Sequence, residues 1–199
     1  MVSQAQYEAI MGVVVTLPTP EELFDFQVEI LRKKGVVNNP DELLPLRELI
    51  PKQGLFIMVP QTALSLAELV ERVELDGKSG KNWLEEGRVE DVVKTPKTHY
   101  LCLAVEDGRR MLNVSPGDAV KRFAKDGRSA YTAREGIFHA MYFPEVLKRH
   151  FMDLPGSRYG AGNVPGLDVY DGRPYLYYYW SFYANPGWGS ASCGSRVGL

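Results

Sequence analysis

Hydrophobic positions change their spacing along this chain: helical stripes come first, stripes mixed with short apolar runs follow, and strand-like alternation fills the end. Four helix starts share one device, a hydroxyl N-cap with a carboxylate three residues later that can reach back to it. They are Thr19 with Glu22, Ser65 with Glu68, Ser115 with Asp118, and Thr132 with Glu135. Pro20 and Pro116 stand at the first helical position, where a missing N–H costs nothing, and Gly35 and Gly127 stand where a left-handed stop is wanted. A fifth, shorter helix is expected from Pro40 to near Leu49 despite Pro45. A kink is expected at Pro144, followed by a helical turn carrying Val146, Leu147 and Phe151.

Leu55 to Val59 and Tyr100 to Val105 have strand length. The second ends in Asp107-Gly108, which predicts a hairpin with Arg109 to Val114 returning. Another hairpin is predicted from Leu167 to Tyr170, through Asp171-Gly172, into Tyr175 to Tyr183. Along its longer arm Tyr175, Tyr177, Tyr179 and Tyr183 share one face, and Leu176, Tyr178, Trp180 and Phe182 share the other. Asp76 to Asn82 and Ala184 to Gly187 read as surface loops. This order predicts one α+β domain, with N-terminal helices and a mixed, mainly antiparallel sheet completed by the C-terminal aromatic hairpin. Residues 1–51 can form a helical arm on that body.

Composition sharpens the picture at the C-terminal end. Residues 156–199 hold nine of the 19 glycines and ten of the 22 aromatic residues, with no lysine, glutamate or histidine. Their charges are Arg158, Arg173, Arg196, Asp168 and Asp171, a balance of +1, while residues 1–155 carry 20 Lys and Arg against 23 Asp and Glu. Neither part has the basic excess of a nucleic-acid binder. Cys102 and Cys193 make neither a disulfide framework nor a zinc half-site, and a reducing cytoplasm is the simplest reading. The apolar run Ile10 to Leu17 lacks a basic flank and falls short of the roughly 20 residues that span a bilayer, so a soluble, unexported protein without membrane contact is expected.

Several segments invite a chemical reading. Asp76-Gly77-Lys78-Ser79-Gly80-Lys81 looks like a phosphate loop, but Arg72 stands where the first glycine must be. Glu135, His139 and His150 could meet a metal only across a sharp bend, since an unbroken helix would put the two imidazoles about 16 Å apart. A hydrogen-bonded core histidine is the plainer reading of His150, and neither metal nor cofactor is expected. Cys193, near Arg196, can be an activated thiol if His99, His139 or His150 reaches it, although a small buried cysteine needs no such partner.

The tripeptide Gly-Ser-Arg occurs twice, at Gly156-Ser157-Arg158 and Gly194-Ser195-Arg196. Glycine frees backbone amides, serine donates, and a guanidinium grips two oxygens, which together suit a phosphate or carboxylate. The expected site for an anionic small molecule comprises Arg158, Arg173 and Arg196 as charges, Ser157, Ser192 and Ser195 as donors, and Trp180 or Trp188 as a stacking wall. Ion pairing of these arginines with acidic neighbours is the alternative. From another class comes an interaction module, in which the tyrosine-rich strand faces a partner or a second copy of the chain.

The pattern Gly156-Ser157-Arg158, Val164-Pro165-x-Leu167, Gly172-Arg173-Pro174-x-Leu176, Trp180 and Gly189-Ser190-Ala191-Ser192-Cys193-Gly194-Ser195-Arg196 resembles a bacterial family known only as a domain of unknown function. Looser likeness extends through Leu101 to Val105, Leu112-Asn113-Val114, and Gly127-Arg128-Ser129 with Thr132 and Glu135-Gly136. The resemblance implies a bacterial, cytoplasmic protein and brings no activity with it.

Overall fold

The structure, a computed structural model, describes residues 18–199. The run Ile10 to Leu17 lies outside them. Helices α1 (Pro20–Lys33), α2 (Leu66–Glu71), α3 (Pro116–Lys125) and α4 (Ala133–Tyr142) begin at the four expected caps. In α1 the exchange is reciprocal: the Thr19 amide donates to Glu22 Oε2 at 2.8 Å, and the Glu22 amide donates to Thr19 Oγ1 at 3.2 Å. The caps of α2 and α4 match it, but at α3 the shorter Asp118 accepts from the Ser115 hydroxyl at 3.0 Å. Gly35 and Gly127 take φ values of 61° and 64°, as a left-handed stop requires.

Pro40–Leu49 is helical but wound as a 3-10 helix, because Pro45 has no N–H for a regular α ladder. A second 3-10 segment, Pro144–Lys148, begins at the proline just past α4 and carries Val146 and Leu147, whereas Phe151, expected on the same turn, lies beyond it in a strand.

Two sheets carry most of the strand pairing. In the smaller, β6 (Tyr100–Leu103) lies between β1 (Phe56–Val59) and β14 (Ser195–Gly198), antiparallel to both. In the larger, β10 (Asn163–Tyr170) lies between β8 (Phe151–Asp153) and β11 (Arg173–Trp180), and also pairs with β9 (Ser157–Tyr159). Strand β5 (Val89–Asp91) joins β9. At the two edges, β4 (Lys81–Asn82) lies parallel to β11 and β12 (Trp188–Ser190) lies parallel to β8, so the sheet is mixed. A small pair, β7 (Ser129–Ala130) with β13 (Ser192–Cys193), leads the chain from one sheet to the other.

The β10–β11 hairpin forms about the expected turn, with Asp171 and Gly172 at φ 52° and 68°, the twist a tight two-residue turn needs, but β10 starts earlier, at Asn163, and β11 stops at Trp180, short of Phe182 and Tyr183. Two other expectations are corrected. After Asp107-Gly108 no strand returns, because both edges of β6 are already occupied, one by the distant β14. Instead Asp107 Oδ1 accepts from the Arg109 amide at 3.1 Å and Arg109–Met111 makes a 3-10 turn. Asp76 to Asn82 is not a loop but a tight turn between β2 (Glu74–Leu75) and β3 (Lys78–Ser79), followed by β4. Asp76 and Gly77, at φ 50° and 76°, supply the turn.

One core gathers these layers. Leu23, Phe24 and Leu31 of α1, with Leu43 and Leu46 of the 3-10 segment, belong to the same buried cluster as Phe56 to Val59, Phe138, Met152, Leu167 and Leu176. Among the described residues, no helix is long and apolar enough to cross a membrane.

Candidate functional site

Strand alternation and register build an aromatic hollow on the outer face of the β10–β11 hairpin. Directly opposed residues of an antiparallel pair share a face, so Asp168 and Tyr170 of β10 stand with Tyr175, Tyr177 and Tyr179 of β11. Trp83 completes the wall from the chain just past β4, held there by its amide, which donates to the Leu176 carbonyl at 3.0 Å. Its ring stacks with Tyr175 at a centroid distance of 6.2 Å, and Tyr170 meets Tyr175 edge-on at 5.6 Å. These six residues line a hollow of about 380 Å³.

A single glycine shapes its floor. Gly166 lies opposite Tyr177, and a Cβ there would stand 2.8 Å from Trp188 Cζ3 and 3.1 Å from Tyr179 Cδ2. With no side chain in the way, Tyr179 lies against Trp188, centroids 3.9 Å apart, and its hydroxyl donates to Asp168 Oδ2 at 2.6 Å. The other carboxylate oxygen, Oδ1, is buried and has no hydrogen-bond partner among the described residues. Among the described residues Asp168 forms no ion pair, and burial raises its pKa against the lowering effect of the Tyr179 bond. The Tyr179 hydroxyl is itself pushed up, first by burial and then by that carboxylate. The hollow therefore combines electron-rich ring faces with a carboxylate that lacks a counter-ion.

The residues expected to hold an anion are not brought together. Arg158 lies on β9 beside the Asn163 end of the hairpin and donates to the carbonyls of Pro155 and Ser157 at 2.6 and 3.0 Å. Arg173 opposes Tyr170 at the other end, about 24 Å away at the usual rise of a strand. Arg196 belongs to the smaller sheet and is buried, with Nε and Nη2 donating to the two oxygens of Glu135 at 2.6 and 2.8 Å. Its Nη1 donates to Ser129 Oγ at 2.6 Å. Acidic pairing of Arg196, the alternative in the sequence, is what forms.

The other expected donors are spent inside the fold. Ser157 Oγ accepts from the Ala133 amide at 2.8 Å and donates to Asp91, and Ser192 Oγ accepts from Arg128 Nε at 2.9 Å. Ser195 is exposed on β14. Trp188 is buried under Tyr179, and Trp180 is exposed on the side of β11 away from the hollow, with Phe182 5.6 Å from its ring. A polar hollow elsewhere is lined in part by Asp91, Lys97, Thr132 and Arg134, and among the described residues the buried Arg134 Nη1 has no acceptor.

The expected histidine reading holds at His150, a buried ring whose Nε2 lies 3.1 Å from the Asp107 carbonyl and 3.5 Å from its Oδ1. His139 contacts the Tyr131 hydroxyl at 3.4 Å. Among the described residues, no group of three or more His, Cys, Asp or Glu could hold a metal ion.

Residues 15–199 match the model of a family of unknown function, DUF5701. The chain belongs to that family. No curated protein and no solved structure matches it. The family carries no activity to compare with the geometry. Trp83 and Tyr170 are the lining residues that the sequence reading did not single out. For Tyr170 a signal was present, since counting outward from Asp171-Gly172 puts it on the face of Asp168 and Tyr175. For Trp83 there was none, because its place depends on the parallel pairing of β4 with β11.

Proposed function

We propose that this protein is a small-molecule binding module whose aromatic hollow receives an organic cation of the alkylammonium class. The observation that carries the reading is Asp168, a partly buried carboxylate with one oxygen that has no hydrogen-bond partner among the described residues, under the rings of Trp83, Tyr170, Tyr175, Tyr177 and Tyr179. An ammonium group over such ring faces gains roughly 0.5 to 2 kcal/mol from cation–π attraction. Asp168 adds the counter-charge and discriminates against phosphates and carboxylates. The free thiols of Cys102 and Cys193 support a cytoplasmic setting for this activity.

Calorimetric titration with choline tests it, with its neutral isostere 3,3-dimethylbutanol as control. Choline is expected to bind at least about tenfold more tightly, a difference of roughly 1.4 kcal/mol. Equal affinity for the two, or none for choline, overturns the reading.

A second reading, self-association, is favoured by the exposed aromatic residues Trp180, Phe182 and Tyr183 at the end of β11, away from the hollow. Sedimentation of the full chain at rising concentration tests it, and a strict monomer removes it.

A further inference from the structure

The two cysteines, distant in sequence, meet in the fold. Cys102 lies in the middle strand of the smaller sheet, directly opposite Arg196 of β14. Cys193 ends the β13 pairing opposite Ser129, and the next amide, that of Gly194, donates to the Leu103 carbonyl at 2.9 Å, which returns the chain to β6. Ala104, at φ 50°, kinks β6 at this point. The two thiols are close enough to act on one another's titration, and both are buried. Glu135 Oε1 accepts from Cys102 Sγ at 3.2 Å, and Arg196, which grips Glu135, also acts on both sulfurs.

We propose that Cys102 and Cys193 are a redox pair that closes to an intramolecular disulfide in response to hydrogen peroxide, with Cys193 the sulfur that reacts first. The assignment of roles follows from their surroundings. Cys193 is held below the usual thiol range first by the neighbouring Cys102 thiol and, against burial, by the Arg196 and Arg128 guanidiniums. Burial pushes Cys102 well up, so it keeps its proton. The thiolate, not the thiol, is the nucleophile.

The Cys193 thiolate attacks one peroxide oxygen, the O–O bond breaks, and the departing hydroxide takes a proton to leave as water. Cys193 is then a sulfenic acid. The Cys102 sulfur attacks that sulfur, the S–OH bond breaks, and the Cys102 proton leaves with the hydroxide as a second water. Two thiols lose two electrons and two protons, and one peroxide becomes two waters. The bond ties the C-terminal strands to β6, removes the S–H that Glu135 accepts, and closes a long loop, which favours the folded state.

The test uses the full chain, reduced and then treated with hydrogen peroxide, denatured in iodoacetamide and weighed intact. The expected result is a loss of two hydrogen masses with no alkylation at either cysteine, reversed by dithiothreitol, together with a higher thermal midpoint before denaturation. Cys102→Ser is expected to stop at a sulfenic acid on Cys193 that dimedone traps, and Cys193→Ser to leave Cys102 unoxidised. Full alkylation after peroxide treatment, or a disulfide between two chains in place of the internal one, overturns the proposal. So does dimedone labelling of Cys102 in Cys193→Ser as fast as that of Cys193 in Cys102→Ser. The wild-type mass decides the bond by itself, so a folding defect in either variant leaves the test intact.

Discussion

Glu135 closes the capping box of α4 and, with the same carboxylate, takes both Nε and Nη2 of Arg196, so one buried side chain joins a helix start to the C-terminal strand. The Tyr100 hydroxyl at 2.9 Å and the Cys102 thiol at 3.2 Å also donate to it. Burial alone would raise the Glu135 pKa, but Arg196 and the Thr132 amide bring it below the ordinary value of 4.5.

Arg196→Met leaves that charge buried without its counter-ion and is expected to cost about 3–5 kcal/mol of stability. The double variant Glu135→Gln with Arg196→Met should recover part of the loss, since no unpaired charge remains. The sign with pH follows from the depressed pKa: the pair's contribution is present above about pH 4.5 and is lost as pH falls through the lower folded value. Urea unfolding of the three proteins at neutral and acidic pH measures both effects. An Arg196→Met protein as stable as the double variant would contradict the buried pair.

Two buried groups pull stability in opposite directions with pH. Burial pushes the His139 pKa down to about 4 from 6.5, and burial pushes Asp153 up to about 7 from 3.8. Between about pH 4 and 6.5 the unfolded chain holds a proton at His139 that the folded chain lacks, so stability rises with pH. Over the same window the folded chain keeps a proton on Asp153 that the unfolded chain has lost, so stability falls with pH. The two slopes largely cancel in the wild type. Asp153→Asn is expected to unmask the histidine, with stability declining toward acid by up to about 1.4 kcal/mol per pH unit. His139→Gln should tilt the other way. Denaturant unfolding at several pH values within the window reads both slopes, and a level Asp153→Asn profile would mean that His139 keeps its proton on folding.

The helix starts were legible because a cap is decided by residues three positions apart, and the aromatic hairpin was legible because Asp171-Gly172 is decided by two. The failures share a different cause. Nothing near Asp107-Gly108 announces that the free edge of β6 belongs to Ser195–Gly198, and nothing near Arg196 announces Glu135, which already had a local role as a capping residue. For the hollow, the three tyrosines could be placed on one face by counting, and Trp83 could not. The lack of a counter-ion at Asp168 was not legible either, since it depends on where every arginine goes.

Close backbone contact ties the loop after β6 to β12. A Cβ on Gly189 would lie 2.0 Å from the Gly108 carbonyl oxygen and 3.2 Å from the Leu112 amide nitrogen, and both of these are backbone atoms. Gly189→Ala is therefore expected to cost about 1–3 kcal/mol or more, because no side chain can turn aside to make room. Gly187→Ala is the control, with its nearest neighbour an Asn185 oxygen at 3.8 Å, and should change stability little. Thermal or urea unfolding compares them, and equal stability of the two variants would contradict the contact.

Tyr179→Phe isolates the role of the carboxylate in the hollow. The hydroxyl lost in this variant is the one side-chain donor that holds the Asp168 pKa down against burial, so the pKa should move further up. A bound cation favours the charged carboxylate, so choline affinity should rise with pH through the Asp168 pKa and level off above it. In Tyr179→Phe the rise should shift to higher pH while the plateau affinity changes little, since the aromatic ring remains. In Asp168→Asn the affinity should be lower throughout and independent of pH. Calorimetric titrations across the acidic to neutral range distinguish the three profiles. A pH-dependent Asp168→Asn profile would place the titrating group elsewhere and remove the carboxylate from the binding argument.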